Sequence, residues 1–266
     1  MKTDYEFAKI DNSSDEEYIF KKIKKIKVSK PKTNALLLKK YHNEEENILE
    51  IGVDEAGRGP LFGRVYTAAV ILPKDDSFDL SKVKDSKKFY SKKKIEEAAN
   101  YVKENALAWC VSYEDERKID EVNILQATQM AMHNSINELR KKYNNILKNQ
   151  NKVEGTDYTF NLLVDGNYFN PITYLNKETN KIEMIPYSTI EGGDNKYASI
   201  AAASILAKVE RDKYIDELCT ANPELSEHYG INSNKGYGAK RHIDGIKKYG
   251  ITIWHRISFA PCKNYI

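Results

Sequence analysis

Asp54 and Glu55 stand side by side at the end of a short apolar run, Ile51-Gly52-Val53, and are followed at once by Ala56-Gly57-Arg58-Gly59-Pro60. Successive strand side chains point to opposite faces, so both acids serve one site only if the strand ends there, and Gly57 supplies that break. Two ionised neighbours repel each other, which makes the pair a poor structural element and a good cation seat. Two further acids occupy comparable places. Leu162-Leu163-Val164-Asp165-Gly166 is an apolar run ending in an acid and a glycine, and Glu191-Gly192-Gly193-Asp194 leaves a strand and opens an alanine-rich helix. Taken singly, Asp194 also suits a helix N-cap and Asp165-Gly166 an ordinary turn. Taken together, Asp54, Glu55, Asp165 and Asp194 can converge at one edge of an α/β sheet, where open sheets place their ligands. Hard carboxylate donors with no convergent histidines suit two divalent cations, Mg²⁺ or Mn²⁺, about 3.5–4 Å apart. Such a pair can activate a water, neutralise phosphate charge and stabilise a leaving oxygen, as phosphodiester hydrolysis requires.

These acids need a scaffold, and the chain reads as one. Strand signals fall at Ile48–Asp54, Val65–Leu72, Leu107–Tyr113, Thr159–Asp165 and roughly Ile182–Ile190. Helical patterns run from Ser91, as a cap, to about Asn105, from Ile119 to Tyr143, from Asn195 to Leu218 and from Lys240 to Tyr249. The third carries a small-residue face, Ala198, Ala201, Ala202 and Ala207, fit for close packing on a sheet. Strands first, then strands alternating with helices, predict an α/β fold with a mixed central sheet flanked by helices. Polar stretches 144–157 and 170–181 read as surface loops.

The bulk numbers agree with one large domain plus a small appendage: 266 residues, 41% apolar, 30% charged, net charge +3. Residues 1–47 form a separate, lysine-rich extension, with nine lysines and no acid between Tyr18 and Asn43, and 48–266 form the catalytic domain. The extension is either a solvated arm or a set of added phosphate contacts. No apolar run is long enough for a membrane helix, and the N-terminus is too polar for a secretory signal. Cys110, Cys219 and Cys262 are scattered and form no CxxC pair, so a reducing, cytoplasmic setting is expected, without structural zinc or disulfides.

The motifs occur in a familiar order. Asp54-Glu55-Ala56-Gly57-Arg58-Gly59-Pro60, Asp85-Ser86-Lys87-Lys88, Val164-Asp165-Gly166-Asn167 and Gly193-Asp194 are followed by Ala201–Val209, Lys235-Gly236-Tyr237 and His255-Arg256-Ile257-Ser258-Phe259. Over residues 48–263 the chain resembles the ribonuclease HII family, the type 2 ribonucleases H. That resemblance implies a ribonuclease H-like fold. It implies an endoribonuclease that cuts RNA in RNA/DNA hybrids and incises 5′ of single ribonucleotides in duplex DNA, leaving 3′-hydroxyl and 5′-phosphate ends. It carries the metal ligands onto Asp54, Glu55, Asp165 and Asp194, the ribose-reading loop onto Gly57, Arg58 and Gly59, and the sugar-packing aromatic onto Tyr237. Lys87, Lys235 and Arg256 are expected among the substrate contacts, and the protein is expected to act on its duplex as a monomer. A 2′-hydroxyl is what distinguishes RNA from DNA at one sugar, and glycines let backbone approach it closely.

Other basic residues, Lys208, Lys240, Arg241 and Lys263, are scattered but can line one duplex groove, while the run Lys87, Lys88, Lys92, Lys93 and Lys94 reads by itself as a solvated helix face. His242 and His255 lack metal-ligand spacing and read as packed or phosphate-contacting. Asp212 reads as an exposed helix charge, or as support for the metal site. The interval of 29 residues from Asp165 to Asp194 is longer than the family pattern suggests, consistent with an insertion at 170–181. The sequence also admits two other readings: a type 3 ribonuclease H needing longer RNA tracts, against which Arg58 argues, and a hybrid-binding protein without catalysis.

Overall fold

Strand β1 (Ile48–Ala56) lies at the centre of a five-stranded sheet ordered β3-β2-β1-β4-β7 in the computed structural model, with β2 at Val65–Ile71, β3 at Ala108–Glu114, β4 at Thr159–Asp165 and β7 at Tyr187–Ile190. The structure describes residues 38–83, 89, 91–149, 159–176 and 179–265. β1 pairs antiparallel with β2 and parallel with β4; β2–β3 is antiparallel and β4–β7 parallel. The sheet is therefore mixed, as the sequence predicts.

The run Val-Tyr-Thr-Ala-Ala-Val-Ile of β2 is buried at every position, because helices cover both faces. On one face Ala69 and Ile71 join Ile51, Val53, Leu162 and Val164 against Met132, Ile136 and Leu139 of α2 (Glu116–Asn149). On the other face Ala68, Val70 and Leu72 meet α1 (Lys92–Asn105) and α3 (Ala198–Ala221). α3 approaches unusually closely: a Cβ on Gly52 would stand 2.1 Å from the Ser199 carbonyl carbon. The glycine and the alanine face together allow that approach. A third apolar cluster, with Leu61, Phe62, Ile215, Leu225, Tyr229 and Ile246, packs α4 (Pro223–Tyr229), α5 (Ile231–Asn234) and α6 (Lys240–Tyr249) beyond the end of α3.

Ser91 caps α1 by accepting the Lys94 N–H, as predicted. Four features differ from the sequence reading. The expected strand at 182–190 divides around Pro186. Its first part, β6 (Lys181–Met184), pairs with β5 (Thr173–Asn176), which lies in the expected loop, to form a separate hairpin, and only β7 joins the main sheet. α2 starts earlier and ends later than expected, with a break at Asn123 (φ 70°, ψ 163°), whose side-chain oxygen accepts the Gln126 N–H; asparagine tolerates that left-handed φ better than most residues. The short helices α4 and α5 carry too little periodicity to be read in advance. Finally, residues 38–47 belong to the compact unit of the sheet rather than to the extension. Lys39 exchanges backbone hydrogen bonds with Lys196 and Ala198, and the buried Glu50 carboxylate accepts the His42 and Asn43 N–H groups. The lysine-rich arm before residue 38 lies outside the described residues. Among the described residues no helix is long and apolar enough to cross a membrane.

Candidate active site

The register of the parallel pair sets the site. Val53 lies beside Val164, so Asp54 and Asp165, one residue further along, stand next to each other; Asp165 ends β4, whereas β1 runs past the expected end at Asp54 to Ala56, with Asp54 still paired to Ala68 of β2. Asp54 is buried and accepts the Glu55 N–H at 2.7 Å. Burial, then the charges of Glu55 and Asp165, hold its carboxyl well above the usual carboxylate range, against the opposing hydrogen bonds from Ser204 and the Glu55 amide. Glu55 carries its own counter-charge, Arg58 Nη1 at 3.2 Å from Oε1.

β4 also pairs with β7, and the chain then turns at Gly192 (φ 61°) into a 3₁₀ turn, Gly193–Asn195. The Gly193 N–H donates to Asp165 Oδ1 at 2.7 Å, which ties this turn to the second acid. A side chain at 193 would stand 2.5 Å from the Ile200 methyl. Asp194 is buried and accepts from Asn195 Nδ2 at 2.9 Å. It does not cap α3, whose N-cap is Tyr197. A pocket of about 270 Å³ gathers Asp54, Glu55 and Asp165 with Gly57, Arg58, Gly59 and Tyr237; Asp194 is not among its lining residues, although the preceding Gly193 is tied to Asp165. Among the described residues no three His, Cys, Asp or Glu side chains already surround a single ion position.

The glycine loop is held from behind. Gly57 has φ +95°, and a Cβ there would stand 2.2 Å from Arg211 Nε. Arg256 is fully buried beneath the loop; its Nε donates to Gly63 O (2.8 Å), Nη1 to Arg58 O and Pro60 O (both 2.9 Å) and Nη2 to Gly57 O (2.6 Å). Arg211, also buried, donates to Lys235 O at 2.8 Å and lies 5.9 Å below the Tyr237 ring. That ring is half exposed, and its Cε1 is 3.5 Å from where a Gly59 side chain would begin. The two loops are also joined directly, Leu61 N–H to Gly236 O at 2.8 Å.

Several expected contacts fall elsewhere. Arg256 does not face the groove: it is spent on four loop carbonyls. Lys235 turns its ammonium to Asp216, which also takes Lys92 at 2.7 Å, in a cleft next to the carboxylate pocket. Lys240 pairs with Asp244, and Arg241 donates to the Ser226 and Glu227 carbonyls. Lys87 lies outside the described residues. Conversely, Ser204, Lys208, Arg211 and Asp212 all line the pocket, with Lys208 Nζ 2.6 Å from Asp212 Oδ2. Asp212 is thus partly buried, not an exposed helix charge. The signal was present: positions 204, 208, 211 and 212 share one face of a helix.

A family model described as Ribonuclease HII matches residues 51–262. A ribonuclease HII from Bacteroides thetaiotaomicron is 40% identical over 223 residues, covering 84% of this chain and 94% of that protein. Two solved structures share the fold. The ribonuclease H2 of Pyrococcus horikoshii OT3 has a TM-score of 0.55 at 23% identity, covering 82% of this chain and 96% of its own. The Bst-RNase HIII bound to Mn²⁺ has 0.57 at 19%, covering 82% and 69%.

Proposed function

Because this chain belongs to the ribonuclease HII family and is a type 2 ribonuclease H, we propose that its carboxylate pocket hydrolyses the RNA strand of RNA/DNA hybrids and incises 5′ of a single ribonucleotide in duplex DNA. The products carry 3′-hydroxyl and 5′-phosphate ends. One observation carries the reading: Asp54, Glu55 and Asp165 share a pocket with the Gly57-Arg58-Gly59 loop and the exposed Tyr237 ring.

The donor set fits hard divalent cations. It is carboxylate oxygen throughout, and Asp54 is crowded by its neighbours' charges. Asp54, Glu55, Asp165 and Asp194 would hold two such ions, Mg²⁺ or Mn²⁺, which supply phosphate neutralisation, an activated water and a stabilised leaving oxygen. A structural relative, the Bst-RNase HIII, was solved with Mn²⁺.

The chain's own residues account for selectivity. In a trans peptide the carbonyl and the following N–H point in opposite directions. Arg256 draws the Gly57 and Arg58 carbonyls inward, so the Arg58 and Gly59 N–H groups are turned away from it, in a loop that lines the pocket. Backbone donors at that place suit a ribose 2′-hydroxyl. Tyr237 offers a flat ring to the adjoining sugar, and Lys208, at the pocket wall, offers a charge to phosphate. The protein works as a monomer in the cytoplasm; its three cysteines are free and buried, in keeping with a reducing compartment.

The test is end-labelled cleavage of a DNA duplex holding one ribonucleotide, run with Mg²⁺, with Mn²⁺ and with EDTA. A single metal-dependent cut 5′ of the ribonucleotide is expected. Cleavage of long hybrids without that cut removes the single-ribonucleotide reading, and hybrid binding without any strand breakage removes catalysis.

A further inference from the structure

We propose that His242 and His255 form a buried, uncharged pair of positioning residues that fixes Tyr237 over the Gly57–Gly59 loop. The inference rests on the role given above to Tyr237 and adds residues that touch neither substrate nor metal.

The hydrogen bonds run in one direction. His255 Nδ1 accepts the Thr252 N–H at 2.9 Å, so its proton lies on Nε2. His255 Nε2 is 3.0 Å from His242 Nε2, which must then accept. The His242 proton is left on Nδ1, 2.9 Å from the carbonyl oxygen of Tyr237, to which it donates. Each ring nitrogen has one role and each imidazole is neutral. Both residues are essentially without exposed surface. Burial lowers both pKa values, that of His255 to about 3, with His242 its second cause.

The pair also has a fixed foundation. His255 forms an isolated β-bridge with Phe62, and the Phe62 ring packs edge-on against it at 5.1 Å. The next residue, Arg256, holds the glycine loop. One dipeptide therefore braces both halves of the sugar-reading surface: Arg256 directly under the loop, His255 through His242 under Tyr237. The Tyr237 ring is half exposed, and its backbone is tied down: its N–H donates to Asn234 O at 3.0 Å, and its carbonyl accepts from the Ala239 N–H at 2.8 Å as well as from His242.

The test is a double-mutant cycle in the full-length protein, measured on a single-ribonucleotide duplex and on a continuous RNA/DNA hybrid. His242→Phe keeps the ring volume and removes the donor, and is expected to lower kcat/KM about tenfold, as the loss of one hydrogen bond does, mainly through KM. In a Tyr237→Ala background the same change should have no further effect, and His242→Asn, which keeps a donor near the Nδ1 position, should recover most of the loss. A full tenfold loss in the Tyr237→Ala background overturns the inference, because the pair then acts on something other than Tyr237. If Tyr237→Ala alone is silent on both substrates, the assigned role of Tyr237 has failed and the pair's role in positioning it falls as well. Nitrogen-15 imidazole spectra of the wild-type protein at neutral pH decide the physical part whether or not His242→Phe folds: an Nδ1–H tautomer for His242 and an Nε2–H tautomer for His255 are expected, and a charged ring or the reverse tautomers refute it.

Discussion

Replacing Arg256 separates a buried brace from a phosphate contact. The guanidinium satisfies four carbonyls, those of Gly57, Arg58, Pro60 and Gly63, at 2.6–2.9 Å. Its planar fork reaches all four at once; a lysine ammonium is a single point with three donors and cannot. Burial, then Arg211, pulls its pKa down to about 9, so it remains charged at neutral pH. Arg256→Met removes the charge together with all four hydrogen bonds. Each buried carbonyl left unpaired costs about 1–3 kcal/mol, and relief of the desolvated charge offsets part of this, so a net loss of about 3–5 kcal/mol is expected. For a domain of this size that lowers Tm by about 6–20 °C. Arg256→Lys should fall between wild type and Arg256→Met. The assay pairs thermal melting in EDTA with the salt dependence of duplex binding. A brace lowers Tm and leaves the log–log salt slope of the folded protein unchanged. A phosphate contact leaves Tm within about 2 °C and makes the slope shallower by about 0.9; that second pattern would refute the burial argument.

Three further outcomes follow from the same geometry. Asp165→Asn should abolish cleavage while leaving the metal-free protein as stable as wild type or more so, because it removes a charge that crowds Asp54; a clear drop in Tm in EDTA contradicts this. Asp54 has a folded pKa above its unfolded value, so its contribution to metal-free stability is complete below about pH 4 and is lost as pH rises towards the raised value, at about 1.4 kcal/mol per unit of separation; urea denaturation in EDTA across that window should show the decline, and Asp54→Asn should flatten it. Gly57→Ala forces a side chain into φ +95° and onto Arg211 Nε, costing about 1–3 kcal/mol and the single-ribonucleotide incision; an active, equally stable variant rules out the strained-loop account.

The sequence exposed the strands of the sheet because each ends at a glycine, proline or acid, and it exposed the alanine face of α3 because small residues recur at helical spacing. It could not show that Val53 stands beside Val164, and it is this register that makes neighbours of Asp54 and Asp165. Nor could it show that the exposed Leu175 and Ile182 leave the sheet in a hairpin, since alternation looks the same in either place. Ser204, Lys208, Arg211 and Asp212 share a helical face that the sequence offers, but Lys208 and Asp212 read there as separate charges and nothing singles out Ser204 or Arg211. Arg256 was the hardest case. An arginine in a polar motif of a nuclease reads as a phosphate ligand, and burial of a guanidinium leaves no mark in composition. Its purpose appears only from the carbonyls it collects. A backbone loop presents N–H groups outward only if the carbonyls on its other side are satisfied within the protein, and no apolar side chain can do that. The buried cation at 256 is thus the counterpart of the glycines at 57 and 59: a Cβ at 57 would meet Arg211 and one at 59 the Tyr237 ring, while the guanidinium satisfies the carbonyls on the inner side of the same loop.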